Sequence, residues 1–201
     1  MKRHEGLFSI IGVRNRILHV IFHCLNFTNF IYGLILIQTT ILIMKEPVPI
    51  LEKRRIQAEV LGPLFEEMVE NIGHHQASSI LETAIRKAAI KEGSHFRQQS
   101  DPSLSTIDNF VALMELWKAG GALEMEVLQQ RETRFDFNVN RCRYAEMYRE
   151  MGLEGIGHLL SCNRDGTFCE GFDPNLKLVR DQTLMEGASC CTFRYSLEKK
   201  C

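Results

Sequence analysis

Across the pair Gly120-Gly121 the spacing of apolar residues changes from four to two, which divides the chain into a helical part and a mixed part. Before the break, Ile56, Val60, Leu64, Met68 and Ile72 recur every four residues, with Leu61, Phe65 and Val69 widening the stripe. That spacing predicts an amphipathic helix over residues 51–72, kinked or restarted at Pro63 and ended at Gly73. Ile80, Leu81, Ala84, Ile85, Ala88 and Ala89 predict a second helix that stops at Gly93. In "DPSLSTIDNF", Ser105 is the expected N-cap of a third helix, with Asp108 three residues on as in a capping box. Phe110, Val111, Met114 and Trp117 are its expected buried face.

After the glycines, Leu123, Met125 and Val127 alternate with polar residues, as do Phe135, Phe137 and Val139. Period two over both runs predicts a hairpin joined near "QQRET". "RCRYAEMYREMG" predicts a short helix and residues 153–170 a longer one, followed by a turn at "GFDPN". "LKLVRDQTLM" and "CCTFRYSL" read as two more extended segments. Together these predict an α+β fold, with an antiparallel sheet of about four strands packed with helices on one face and preceded by an N-terminal helical region.

Residues 1–43 have a different character. No Asp, Glu, Lys or Arg occurs over residues 17–43, and Lys2, Arg3, Arg14 and Arg16 precede that stretch. Two readings follow: a hydrophobic N-terminal anchor with its start in the cytoplasm, or an extension upstream of a start at Met44. Residues 44–201 are then expected to form a single domain. At 45% hydrophobic residues the chain can bury one core. Its net charge of -1, with no basic run interleaved with aromatics, argues against a nucleic-acid partner. Seven cysteines without the dense, even spacing of a secreted scaffold suggest a reducing compartment. The expected location is therefore cytoplasmic, or at a membrane if residues 1–43 are an anchor.

Residues able to do chemistry gather in the second half. His158, Cys162, Asp165 and Cys169 would share one face of a regular helix, and Cys142 and Glu146 are four apart on the preceding one. Such a face could hold a metal, with zinc a candidate although neither C-x-x-C nor H-E-x-x-H occurs. It could equally set a nucleophilic thiol beside a base, with Arg141, Arg143 or Arg164 lowering the thiol pKa. Any one of these cysteines alone is more simply a small buried hydrophobe. The neighbours Cys190 and Cys191 must face opposite sides of a strand, Cys191 with Phe193 and Tyr195, Cys190 with Thr192 and Arg194.

"FNVNRCRYAEMYREMG", "GHLLSCNRD", "EGFDPNLKLVRDQT" and "EGASCCTFRY" occur in an order and spacing that resemble the L-2-amino-thiazoline-4-carboxylic acid hydrolase family, and "PILEKRRIQAEVLGPLFEEM" resembles its opening. The resemblance spans residues 49–197. It implies a hydrolase that opens a small cyclic amidine, such as L-2-amino-thiazoline-4-carboxylate, toward a carbamoyl-cysteine. The family's three late cysteines fall on Cys142, Cys162 and Cys191, and Asp165, Arg180, Thr183 and Arg194 also occupy motif positions. The implied roles are attack by a cysteine thiolate or a metal-bound water, proton transfer by Asp165, and substrate binding by Arg180, Thr183 or Arg194. For the aromatic face of the last strand to carry a reactive Cys191, the pocket must lie between sheet and helices. The alternatives are a non-catalytic small-molecule or metal-binding sensor domain and, depending on residues 1–43, a membrane-tethered interaction module.

Overall fold

The computed structural model describes residues 48–198, so the apolar segment 1–43 lies outside the described residues. Helix α1 (Ile50–Ile72) leads into α2 (His74–Gln98) and α3 (Thr106–Lys118). Strands β1 (Leu123–Arg131) and β2 (Arg134–Cys142) form the expected hairpin, and α4 (Arg143–Glu150) follows at once. A long helical stretch then comprises α5 (Glu154–Gly157), a π turn (His158–Cys162) and α6 (Asn163–Phe172). Strands β3 (Leu176–Val179) and β4 (Cys191–Leu197) close a four-stranded antiparallel sheet of order β1-β2-β4-β3. The fold is α+β, and no helix among the described residues is long and apolar enough to cross a membrane.

Local chemistry explains several of these boundaries. The Ser105 hydroxyl accepts from the Asp108 N–H (3.0 Å) and donates to the Asp108 carboxylate (2.7 Å), so the predicted cap of α3 is formed. After α6, the Asp173 carboxylate accepts from the Asn175 N–H (2.9 Å) and turns the chain into β3. Paired residues Phe137↔Phe193 and Val139↔Cys191 share the face that packs on helices, where the Phe137 and Phe193 rings stack 4.7 Å apart.

Four expectations need correction. The four-residue stripe on α1 is not its buried face: Ile56, Val60 and Leu64 are about half or more exposed, whereas Arg54, Ala58, Gly62 and Phe65 are buried. α1 carries apolar residues on two faces, and the face with small residues is the one that packs closely. The same helix runs through Pro63 unbroken, because Pro63 and Glu59, whose carbonyl loses its N–H partner, both lie on the exposed side. α2 continues past Gly93 to Gln98, since that glycine serves close packing: a Cβ there would stand 2.2 Å from the Phe168 carbonyl oxygen of α6. The extended segment after "GFDPN" is a strand only to Val179, and the chain then leaves the sheet toward a 3-10 turn at Leu184–Glu186.

Among the described residues, two hydrophobic clusters make the interior. One lies among α1, α2, α4 and α5, with Phe65, Leu81 and Tyr148, and the other joins α3, α6 and the sheet, with Phe110, Phe172 and Tyr195. Cys142 and Leu123 touch both.

Candidate functional site

Where the two clusters meet, a cavity of about 100 Å3 lies between the sheet and the helices. Strand alternation turns Cys191, Phe193 and Tyr195 of β4 into it, opposite in register to Val139 and Phe137 of β2. Cys142, which ends β2 and caps α4, lines it too. The π turn brings in Ser161 and Cys162, and Asp165 and Phe168 follow from the first turns of α6. Arg180 enters from the chain just beyond β3. Cys142, Cys162, Cys191, Asp165 and Arg180, distant in sequence, thus line one space.

Two ion clusters set its electrostatics. Arg180 pairs through Nη1 with the Asp165 carboxylate, donates from Nη2 to the Cys162 carbonyl (3.1 Å), and places its guanidinium 5.2 Å from the centre of the Phe193 ring. Burial pushes the Asp165 carboxyl above the usual range while Arg180 pulls against it. Burial by itself would lower the Arg180 guanidinium, but the charge and hydrogen bond of Asp165, together with Cys162, raise it by more and hold the cation. In the second cluster, Glu92 Oε2 accepts from Arg54 Nη2 (3.3 Å) and from Arg164 Nη2 (2.9 Å). Burial opposes ionisation of Glu92, yet these two arginines together hold its carboxyl below the usual range.

The three cysteine thiols that line the cavity are shifted upward. Burial pushes Cys142 up to about 11, against the N–H groups of Ala145 and Tyr144 at the start of α4. Burial and the Asp165 charge raise Cys162, with Arg180 opposing. Burial raises Cys191 as well, opposed by Arg180 and by the Leu184 N–H, which donates to its Sγ at 3.1 Å. At neutral pH these groups are therefore thiols whose anions have specific stabilising neighbours.

Other residues singled out by sequence are placed elsewhere. Thr183 is buried outside the cavity, where its hydroxyl accepts from the Glu186 N–H (3.2 Å) and donates to the Glu186 carboxylate (2.8 Å). Arg194 lies on the opposite sheet face, donating to the carbonyls of Phe137 and Phe193 (both 2.8 Å) and to Asn138 Oδ1 (3.0 Å). The π turn breaks the expected four-residue face: Cys162 and Asp165 line the cavity, whereas His158 and Cys169 do not. The Cys169 thiol instead donates to the Asp165 carbonyl (3.3 Å). Glu146 is engaged by Arg141 (2.8 Å) rather than by Cys142, and Arg143 donates to the Gly120 carbonyl (2.9 Å). Cys190 faces away, its sulfur accepting from Gln182 (3.2 Å).

Among the described residues no three His, Cys, Asp or Glu side chains are grouped so as to hold a metal ion. Asp165 is instead tied to Arg180, so the described cysteines and carboxylates are not arranged as a zinc centre. Sequence reasoning missed Arg54 and Glu92 and weighed Arg164 only as a neighbour of a thiol. The available signal was a charged residue in phase with Ala58 and Phe65 on the face of α1 that is in fact buried.

Fold and cavity together define an α+β domain with a polar and aromatic pocket between its sheet and its helices. The model of the L-2-amino-thiazoline-4-carboxylic acid hydrolase family matches residues 53–195, and the chain belongs to that family, which is named for a hydrolase. No curated protein matches the chain. Among solved structures, the phenol-responsive sensory domain of the transcription activator PoxR with phenol shares 11% identity over 69% of this chain and 73% of that one, with a TM-score of 0.48. A trafficking protein particle complex subunit 3 from Naegleria fowleri, covalently bound to palmitic acid, shares 11% identity over 73% of this chain and 96% of that one, with a TM-score of 0.44. At those scores neither bears on function.

Proposed function

We propose that this chain hydrolyses a small cyclic amidine bearing a carboxylate, such as L-2-amino-thiazoline-4-carboxylate, and opens its ring toward a carbamoyl-cysteine. The observation that carries this reading is the meeting of Cys142, Cys162, Cys191, Asp165 and Arg180 on one cavity in a chain of that family. Cys191 is the nucleophile in this scheme, because its sulfur accepts the Leu184 N–H and the Arg180 charge favours its anion. Its proton passes to Asp165 as sulfur adds to the amidine carbon, and Asp165 then protonates the departing ring atom. Water next displaces the Cys191 sulfur, which recovers its proton, and the carbamoyl product is released. A carboxyl whose pKa is raised by burial suits both directions of that transfer.

The rival reading is a domain that binds a small molecule without turning it over. One feature favours it: burial keeps Cys142, Cys162 and Cys191 protonated at neutral pH. An assay of ring opening with L-2-amino-thiazoline-4-carboxylate separates the two. Turnover that consumes the thiazoline and yields carbamoyl-cysteine supports the hydrolase, and saturable binding with no product overturns it.

A further inference from the structure

Among the described residues, five charged side chains line the cavity, Arg54, Glu92, Arg164, Asp165 and Arg180, and they do not balance. Arg180 and Asp165 neutralise each other, whereas Arg54 and Arg164 share a single carboxylate, and both draw on the same oxygen of it. One positive charge among the described residues is left over in a lining that is otherwise largely aromatic and aliphatic. Arg164 Nε is also buried without any hydrogen-bond acceptor among the described residues. Unpaired buried charge and unmet buried donors are both costly, and an anion is what would relieve them together.

We propose that Arg54 and Arg164, braced on Glu92, form the seat for the carboxylate of a small ligand in this cavity. The inference rests on reading the cavity as the substrate site and names which residues recognise the anionic end. A guanidinium pair suits the task, since each planar fork can offer two parallel N–H donors to one carboxylate. The arginines favoured by sequence are committed elsewhere: Arg180 to Asp165 and the Cys162 carbonyl, Arg194 to acceptors on the other sheet face. With the carboxylate held at the Glu92 cluster, the ring occupies the same small cavity as Cys191 and Asp165.

Trp117, the single tryptophan, lines the cavity, so binding to the full chain can be followed by its fluorescence. The ligands are L-2-amino-thiazoline-4-carboxylate and 2-amino-2-thiazoline, the same ring without the carboxylate. The carboxylate is expected to bind at least about tenfold more tightly, and Arg164→Gln to remove that advantage while changing affinity for 2-amino-2-thiazoline less than about twofold. The variant leaves Arg54 and Glu92 as a neutral pair, so its melting temperature without ligand should be equal to or above that of the native chain. Should Arg164→Gln fail to fold, Arg54→Gln makes the same test from the other side. An advantage that survives in the folded variant, or that vanishes in Arg180→Gln while persisting in Arg164→Gln, overturns the seat. Ring opening measured on the same samples separates this from the broader reading. Carboxylate-dependent binding without product would sink the hydrolase and leave the seat standing, and turnover indifferent to Arg164 would do the reverse.

Discussion

A thiol buried beside aromatic rings gives up its proton reluctantly, and the consequence can be read in stability as well as in reactivity. Cys142 has an ordinary value of 9.0 and is pushed up to about 11 in the fold, so over that interval the folded chain keeps a proton that the unfolded chain has lost. The stability this contributes is complete below 9.0 and is lost as pH rises through about 11. Comparing urea melts of the native chain and Cys142→Ala over that range should show the difference between them shift by ~2 kcal/mol against the native chain. Cys191 and Asp165 are predicted to act at the reaction itself. Cys191→Ala should lower kcat by about a thousandfold or more and Asp165→Asn by about a hundredfold, with both proteins keeping the native circular dichroism spectrum. Ring-opening rates close to native in both would remove the thiol scheme. At this scale the sequence was informative about identity: Cys191 was expected on the aromatic face, and the cavity does lie on that side.

Between elements, the tightest constraint is the crossing of α2 and α6. A Cβ at Gly93 would meet the Phe168 carbonyl oxygen at 2.2 Å, and one at Gly171 would meet the Ile90 carbonyl oxygen at 2.0 Å. Both obstacles are backbone, so neither can rotate away. Gly93→Ala and Gly171→Ala should each destabilise the fold by about 3 kcal/mol or more in chemical denaturation. Gly166→Ala, in the same helix α6 but with nothing of the described residues within 4 Å of its would-be Cβ, should leave stability equal or raise it by roughly 0.5–1 kcal/mol through helix propensity. Removing the Ser105 cap by Ser105→Ala should cost about 1 kcal/mol. The cap was legible because it is a local arrangement of adjacent residues. The role of Gly93 was not, because a glycine that ends a helix and one that admits a second helix look alike until the partner is in place.

For the molecule as a whole, the hydrophobic clusters of the described residues and the family match both lie between Ile50 and Leu197. From the family match, a chain begun at Met44 is expected to unfold in one cooperative transition, with ligand binding by Trp117 fluorescence within about twofold of the full chain. A broad, non-cooperative melt would mean that the first 43 residues contribute to the core. The family resemblance implied the three cysteines that share the cavity, whereas the residues by themselves determined the element types, the break of period at Gly120-Gly121 and the four-stranded antiparallel sheet. Those are properties of periodicity and of local motif, which neighbouring residues carry among themselves. Tertiary structure alone decided which apolar face of α1 is buried, where the π turn resets the face of the helix carrying Cys162, and which charges meet. Arg54 and Glu92 are 38 residues apart and Arg164 is 72 from Glu92, so their shared carboxylate exists only after α1, α2 and α6 have packed. The physical reason is range: side-chain spacing acts over a few residues, whereas the pairing of buried charges depends on which helices come together.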